Sequence, residues 1–214
     1  MSIEQKQQEL AELKRRVQEL EAELESAASS EPIQWPPKDF YTSYYAMVGG
    51  LLGILGAAVS LAVNFVAAPL VGKSSMELIK VYLTFPLGAR ALSLNAENGS
   101  LILVLGTCLY IATGMLIGIP IYWGMALFCG KNPSLGVRIL WSSIFSLLIW
   151  GINFYGVLSW LQPLLFEGNW VTDPQVLPPW VAAGTHLLFG WTLAVLYPLG
   201  QFTPYQPPGS PSTT

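Results

Sequence analysis

Four long runs of the chain, 44–71, 101–128, 139–165 and 180–199, contain no aspartate, glutamate, lysine or arginine. Each reaches the roughly 20 residues that an α-helix needs to cross a hydrocarbon core about 30 Å thick. Lipid offers no partner to a backbone N–H or C=O, so runs of this kind fold as helices that satisfy their own backbone. Composition agrees: 52% of the 214 residues are hydrophobic and 11% charged, against roughly a quarter charged in soluble domains. The expectation is an all-α integral membrane protein, multi-pass, with a four-helix transmembrane bundle over 44–200.

The charges are concentrated elsewhere. Eight of the thirteen acidic residues fall between Glu4 and Glu31, in a stretch with a seven-residue repeat. Ile3, Leu10, Val17 and Leu24 recur every seven, with Leu13, Leu20 and Ala27 three later and Lys6 breaking the series. A 3.5-residue period predicts a coiled-coil helix over 1–28. In a parallel pair Glu9 faces Lys14 of the other chain and Arg16 faces Glu21. Self-association through Leu10, Leu13, Val17, Leu20 and Leu24 is therefore expected, with a single solvated helix or a different helical partner for 3–27 as alternatives. The stretch 29–43 reads as a proline-rich linker, because Pro32, Pro36 and Pro37 cannot continue the helix. Trp35, Phe40, Tyr41, Tyr44 and Tyr45 gather where the membrane begins. Residues 201–214, rich in proline and serine, read as a disordered tail.

Small residues pattern the spans. Gly49, Gly53 and Ala57 form one stripe of the first and Gly56, Ser60, Asn64 and Ala68 the next; Gly106, Gly114 and Gly118 mark the second. Such stripes allow helices to approach closely where no water drives them together. In the fourth, Ala182, His186, Gly190 and Ala194 follow at intervals of four, placing the chain's one histidine on a packing face. Helix packing is thus expected through Gly49, Gly53, Gly56, Gly114, Gly118 and Gly190, and Pro120 is expected to kink the second span. Residues 76–94 are apolar but interrupted by Lys80 and Arg90. They read as an amphipathic interfacial helix or a short re-entrant element covered by protein.

With the N-terminus inside, seven basic residues lie inside and three outside. Close to the membrane the count is even, Lys38, Lys131 and Arg138 against Lys73, Lys80 and Arg90. The unbasic loop 166–180 and the charged N-terminal helix favour a cytoplasmic N-terminus. The first residues lack the basic-then-apolar pattern of a cleavable signal, so the first span is expected to direct insertion. Asn98 begins an NGS sequon that then lies outside.

The charge distribution gives no basic footprint for nucleic acid. Cys108 and Cys129 stand at opposite ends of one predicted helix, too far apart to pair, and no cysteine or histidine spacing marks a metal site. Polar candidates within the bilayer are few, and Asn64, Tyr110 and His186 fall at comparable depth, where they are expected to form one hydrogen-bonded cluster. The plain reading is interhelical hydrogen bonding. A proton relay lacks charged partners in the spans, and hydrolysis lacks a carboxylate to orient the base. Haem ligation by His186, which needs a second chain for a second histidine, and hydrogen bonding to a quinone stay open; no spacing determines the cofactor.

The segment INFYGVLSWLQPLLFEGNW, followed by WVAAGTHLLFGWTLAVLYPLG, resembles the C-terminal end of small uncharacterised bacterial membrane proteins encoded near haem-copper respiratory oxidases. Thr185, His186, Gly190, Trp191, Tyr197 and Pro198 carry the likeness, which covers the C-terminal third only and leaves out the heptad. It implies an accessory or assembly role in the bacterial cytoplasmic membrane, and no catalytic residue. The reading is then a non-enzymatic accessory, scaffold or assembly subunit of a membrane complex, a respiratory one by the resemblance, in contact with lipid and other membrane proteins. The alternative is a small cofactor- or quinone-binding or transport protein built on the polar cluster around His186.

Overall fold

The computed structural model describes residues 3–29, 41–130, 132–166 and 168–202. The proline-rich segment 30–40 and the tail from 203 onward lie outside the described residues. The chain divides into two units, Met1–Lys38 and Asp39–Thr214.

The first unit is helix α1, Ile3–Ser29. Its heptad side chains from Leu10 to Leu24 are all more than half exposed, between 52% at Leu20 and 70% at Leu24. The exposed Arg15–Glu19 pair, 3.7 Å apart at a spacing of four, adds little, because solvent screens such pairs.

The second unit holds helices α2 (Tyr41–Ala67), α3 (Glu77–Leu87), α4 (Ala96–Phe128), α5 (Leu135–Gly151), α6 (Ser159–Phe166) and α7 (Pro179–Leu196). Among the described residues four stretches are long and apolar enough to cross a membrane: Thr42–Leu70, Gly99–Phe128, Leu135–Phe166 and Pro179–Gly200. This is a multi-pass membrane protein. The third stretch joins α5 to α6 through a π-helical segment, Ile152–Leu158. Pro120 lies within α4, and a departure from helical backbone falls at Gly99, in its first turn. The outward faces carry Leu51, Val66, Leu116, Leu148 and Val195, each more than half exposed, as lipid contact requires.

The bundle is a ring in which α2 packs on α4 and α7, and α5 on α7 and α4. Its tightest seam joins α2 to α4. A methyl group added at Gly49 would lie 2.8 Å from the Gly118 carbonyl oxygen, and one at Gly53 would reach the Gly118 Cα at 3.0 Å and run into the Gly114 carbonyl. Gly56 faces α7, where a side-chain carbon would meet Leu193 at 2.7 Å and Phe189 at 3.0 Å. Gly190 in turn sits against α5, where a Cβ would come within 3.0 Å of the Ser142 carbonyl oxygen and run into the Ser146 hydroxyl. Small residues substitute for the hydrophobic effect here, since close approach maximises dispersion contact and lipid supplies no other drive.

At one end of the bundle Tyr45, Tyr122 and Tyr197 are buried together, and the Tyr122 hydroxyl donates to the Tyr197 carbonyl at 2.9 Å. Arg138 of α5 donates to the Ala194 carbonyl near the end of α7 at 3.2 Å. A cation there neutralises carbonyls that the helix leaves unpaired. At this end α4 and α5 touch through Gly124 on Phe145 and Phe128 on Trp141. At the other end they part, and a cavity occupies the space.

Candidate functional site: a capped cleft between the spans

The far end of the bundle is covered by two connecting segments. Helix α3 lays Leu78, Ile79, Val81, Leu83 and Thr84 inward, and Gly106 of α4 admits it, because a Cβ there would meet Leu83 at 2.7 Å and Ile79 at 2.8 Å. The segment therefore packs on protein along one face. The loop 168–178 closes beside it. Gln162 of α6, fully buried, ties the two together: its Nε2 donates to Thr84 Oγ1 at 2.9 Å, and its Oε1 accepts from the Val171 N–H at 2.8 Å. In the sequence the one signal of this glutamine is an amide beside Pro163 in a charge-free span.

Beneath the cap lies a cavity of about 570 Å³. Its walls come from α3 (Leu78, Val81, Tyr82, Phe85), α4 (Tyr110, Thr113), the α5 end (Trp150), the π segment (Asn153, Phe154) and α7 (Ala182, Thr185, His186, Phe189). Leu109 and Leu116 belong both to this wall and to the outer surface of α4, at 42% and 62% exposure. The cavity is thus a cleft open sideways between α4 and α5.

The π segment helps to form it. Pro163 has no N–H to give the preceding turn, and the wider turns upstream leave carbonyls to be met by side chains: Ser159 Oγ donates to the Tyr155 carbonyl and Trp160 Nε1 to the Gly156 carbonyl, both at 2.6 Å. A π turn swings the following residues around the axis, and single π turns recur at functional sites. Here the segment presents Asn153 and Phe154 to the cleft.

Hydrogen bonds organise the polar side. Ser60 Oγ donates to the Ala57 carbonyl at 3.0 Å and meets the Tyr110 hydroxyl at 2.8 Å. Asn64 Nδ2 donates to the Ser60 carbonyl at 2.8 Å and to Thr185 Oγ1 at 3.1 Å, while Thr185 donates to the Val181 carbonyl at 2.9 Å. His186 Nδ1 lies 2.9 Å from the Ala182 carbonyl of its own helix. The Tyr82 ring stands edge-on to Tyr110, with centroids 4.9 Å apart. Trp150 Nε1 is buried and meets no acceptor among the described residues.

The three polar residues singled out in the sequence are thus partly separated. Tyr110 and His186 line the cleft. Asn64 lines a second cavity, of about 510 Å³, which also takes in Lys73 and Trp180 and shares Leu78, Val81, Leu177 and Thr185 with the first. A chain of bonds through Ser60 links Asn64 to Tyr110, and Thr185 carries it to the helix of His186. The Nδ1 of the histidine bonds within its own helix, unlike the interhelical bond expected of it, because the side of α7 that carries it faces the cleft. Its ring offers one nitrogen as a ligand, and among the described residues no three His, Cys, Asp or Glu side chains come together to hold a metal ion.

In comparisons with known proteins, no family model, curated protein or solved structure matches the chain.

Proposed function

We propose that the protein is a non-enzymatic binding subunit of a membrane complex, holding a lipid-soluble, ring-bearing molecule with oxygen head groups, of the quinone class, in the cleft around His186. The observation that carries this reading is the cleft itself. Its volume, about 570 Å³, lies within the roughly 300–1,000 Å³ of small-molecule sites, and its apolar walls with a few convergent polar groups have their character. Tyr82, Phe85, Trp150, Phe154 and Phe189 supply flat faces for a ring, and the opening past Leu109 and Leu116 leads to the lipid phase. No acidic, lysine or arginine side chain is among the residues lining it, so His186 has no charged companion with which to move protons.

The test is direct. Full-length protein purified in mild detergent is extracted with organic solvent and analysed by mass spectrometry, and menadione is titrated against its tryptophan fluorescence. A retained lipophile, or saturable quenching that is abolished by Ala182→Phe in a variant that still unfolds cooperatively, is the expected result. The absence of both a retained lipophile and saturable quenching overturns the reading.

A second reading accompanies it. The exposed seam of α1, Leu10, Leu13, Val17, Leu20 and Leu24, favours an accessory or scaffold role in which the N-terminal helix pairs with a second copy or a helical partner. The basic residues support a cytoplasmic N-terminus, and the resemblance in the C-terminal third supports the bacterial cytoplasmic membrane. Co-purification with a larger complex is the outcome expected; isolation with no partner above background counts against it.

A further inference from the structure

From the direction of the hydrogen bonds we infer that the cleft binds the hydroxyl-bearing, reduced form of its ligand, a hydroquinone, in preference to the quinone; this rests on the reading of the cleft as a quinone-class site. The argument is a count of protons. His186 Nδ1 faces the Ala182 carbonyl at 2.9 Å. A carbonyl only accepts, so the imidazole proton sits on Nδ1 and Nε2 keeps its lone pair. Nε2 lies on the side of the ring turned away from its own helix, in a residue that lines the cleft.

Tyr110 reaches the same state by another route. Ser60 has one hydroxyl proton, and the Ala57 carbonyl 3.0 Å away takes it. Ser60 Oγ then accepts from Tyr110 across 2.8 Å, which commits the phenol proton and leaves its oxygen as an acceptor. The threonines of the wall have committed their protons as well, Thr113 to the Leu109 carbonyl at 2.9 Å and Thr185 to the Val181 carbonyl at 2.9 Å, and keep only lone pairs to offer.

The cleft therefore carries groups that can only accept, His186 Nε2, Tyr110 Oη and Thr113 Oγ1, while the Trp150 Nε1–H is buried out of its reach. Tyr82 and Asn153 hold both a donor and an acceptor and serve either form. A quinone brings only acceptors. It sets its lone pairs against those of His186, Tyr110 and Thr113, and a polar group buried without a partner is costly. A hydroquinone hydroxyl has a proton to give to such acceptors. The preference expected is tenfold or more, which raises the two-electron midpoint of the bound couple by about 30 mV.

The experiment compares menadiol, kept reduced under argon with excess dithionite, with menadione, by isothermal titration of the full chain in detergent. Menadiol is expected to bind at least tenfold more tightly, and His186→Phe or Tyr110→Phe to bring the two dissociation constants together chiefly by weakening menadiol. The ratio of the two constants is the readout, because a variant that merely loosens the fold weakens both. Equal binding, or tighter binding of menadione, overturns the proton assignment and leaves the cleft a quinone-class site. A preference that survives in both variants also overturns it. Binding of neither compound overturns the inference together with the reading beneath it.

Discussion

Gly118 of α4 lies against Gly49 of α2 so closely that a side-chain carbon on Gly49 would come within 2.8 Å of the Gly118 carbonyl oxygen. The seam leaves no room for relaxation, because what a larger residue would strike is backbone. Gly118→Val is expected to destabilise the bundle by about 1–3 kcal/mol through overpacking, read as a lower thermal midpoint in detergent. Gly184→Ala serves as the contrast. No atom lies within 4 Å of a Cβ built there, and alanine favours the helix over glycine, so this variant should be neutral or slightly stabilised. Equal loss in both would contradict the close α2–α4 seam.

Gln162→Leu removes both bonds of the cap, leaving the Val171 N–H without its acceptor and Thr84 Oγ1 without its donor. Orphaning buried polar groups costs about 1–3 kcal/mol. The local consequence is the sharper one: amide exchange at Val171 should accelerate at least tenfold, while exchange in the middle of α4 stays unchanged. Unaltered protection at Val171 would show that the cap is held by packing alone.

Cys129 follows α4 directly, and burial pushes its thiol up to about 11, opposed in part by Arg138. Only the thiolate attacks maleimide. Because the pKa is raised, the reactive form is scarce at neutral pH and grows about tenfold per pH unit until pH approaches 11. In a Cys108→Ala background, alkylation of Cys129 at pH 8 should thus be roughly a hundredfold slower than that of glutathione, and the gap should narrow as pH rises. Rates equal to those of glutathione at pH 8 would contradict the burial of the thiol.

Parallel pairing of α1 brings each Leu13 opposite its counterpart. With Cys108 and Cys129 replaced by alanine, Leu13→Cys is expected to give a disulfide-linked dimer on mild oxidation. Adding Glu9→Lys sets like charges opposite Lys14 and should lower the yield severalfold. An antiparallel pair or a solitary helix gives no such dimer, and either result removes self-association through this face.

Much of the molecule is legible in its residues, and the parts that are not have physical reasons. Gly49, Gly53, Gly114 and Gly118 announce close packing by their four-residue spacing, although nothing in the spacing says that the first pair meets the second. Gln162 is not legible in the sequence, because an amide in an apolar run reads the same whether it points to lipid headgroups or to Thr84 and Val171. The π segment carries no periodic signal, and Pro163, the one hint of it, lies after the segment ends. Asn64, Tyr110 and His186 were expected at one level. Which cavity each faces depends on helix rotations that a single helix does not encode.

The sequence by itself determined the class of protein. Four charge-free runs have one stable solution in a bilayer, because every backbone polar group must be satisfied within its own helix, and small-residue stripes mark the faces that pack. The tertiary structure alone decided that α4 and α5 touch at Gly124 and Phe145 and part at Tyr110 and Trp150, that α3 and the loop 168–178 close over the gap, and that His186 turns Nδ1 to the Ala182 carbonyl. Backbone satisfaction is local and can be read along one chain. A cleft is the space that several helices leave between them, and it exists only once their rotations and crossings are set.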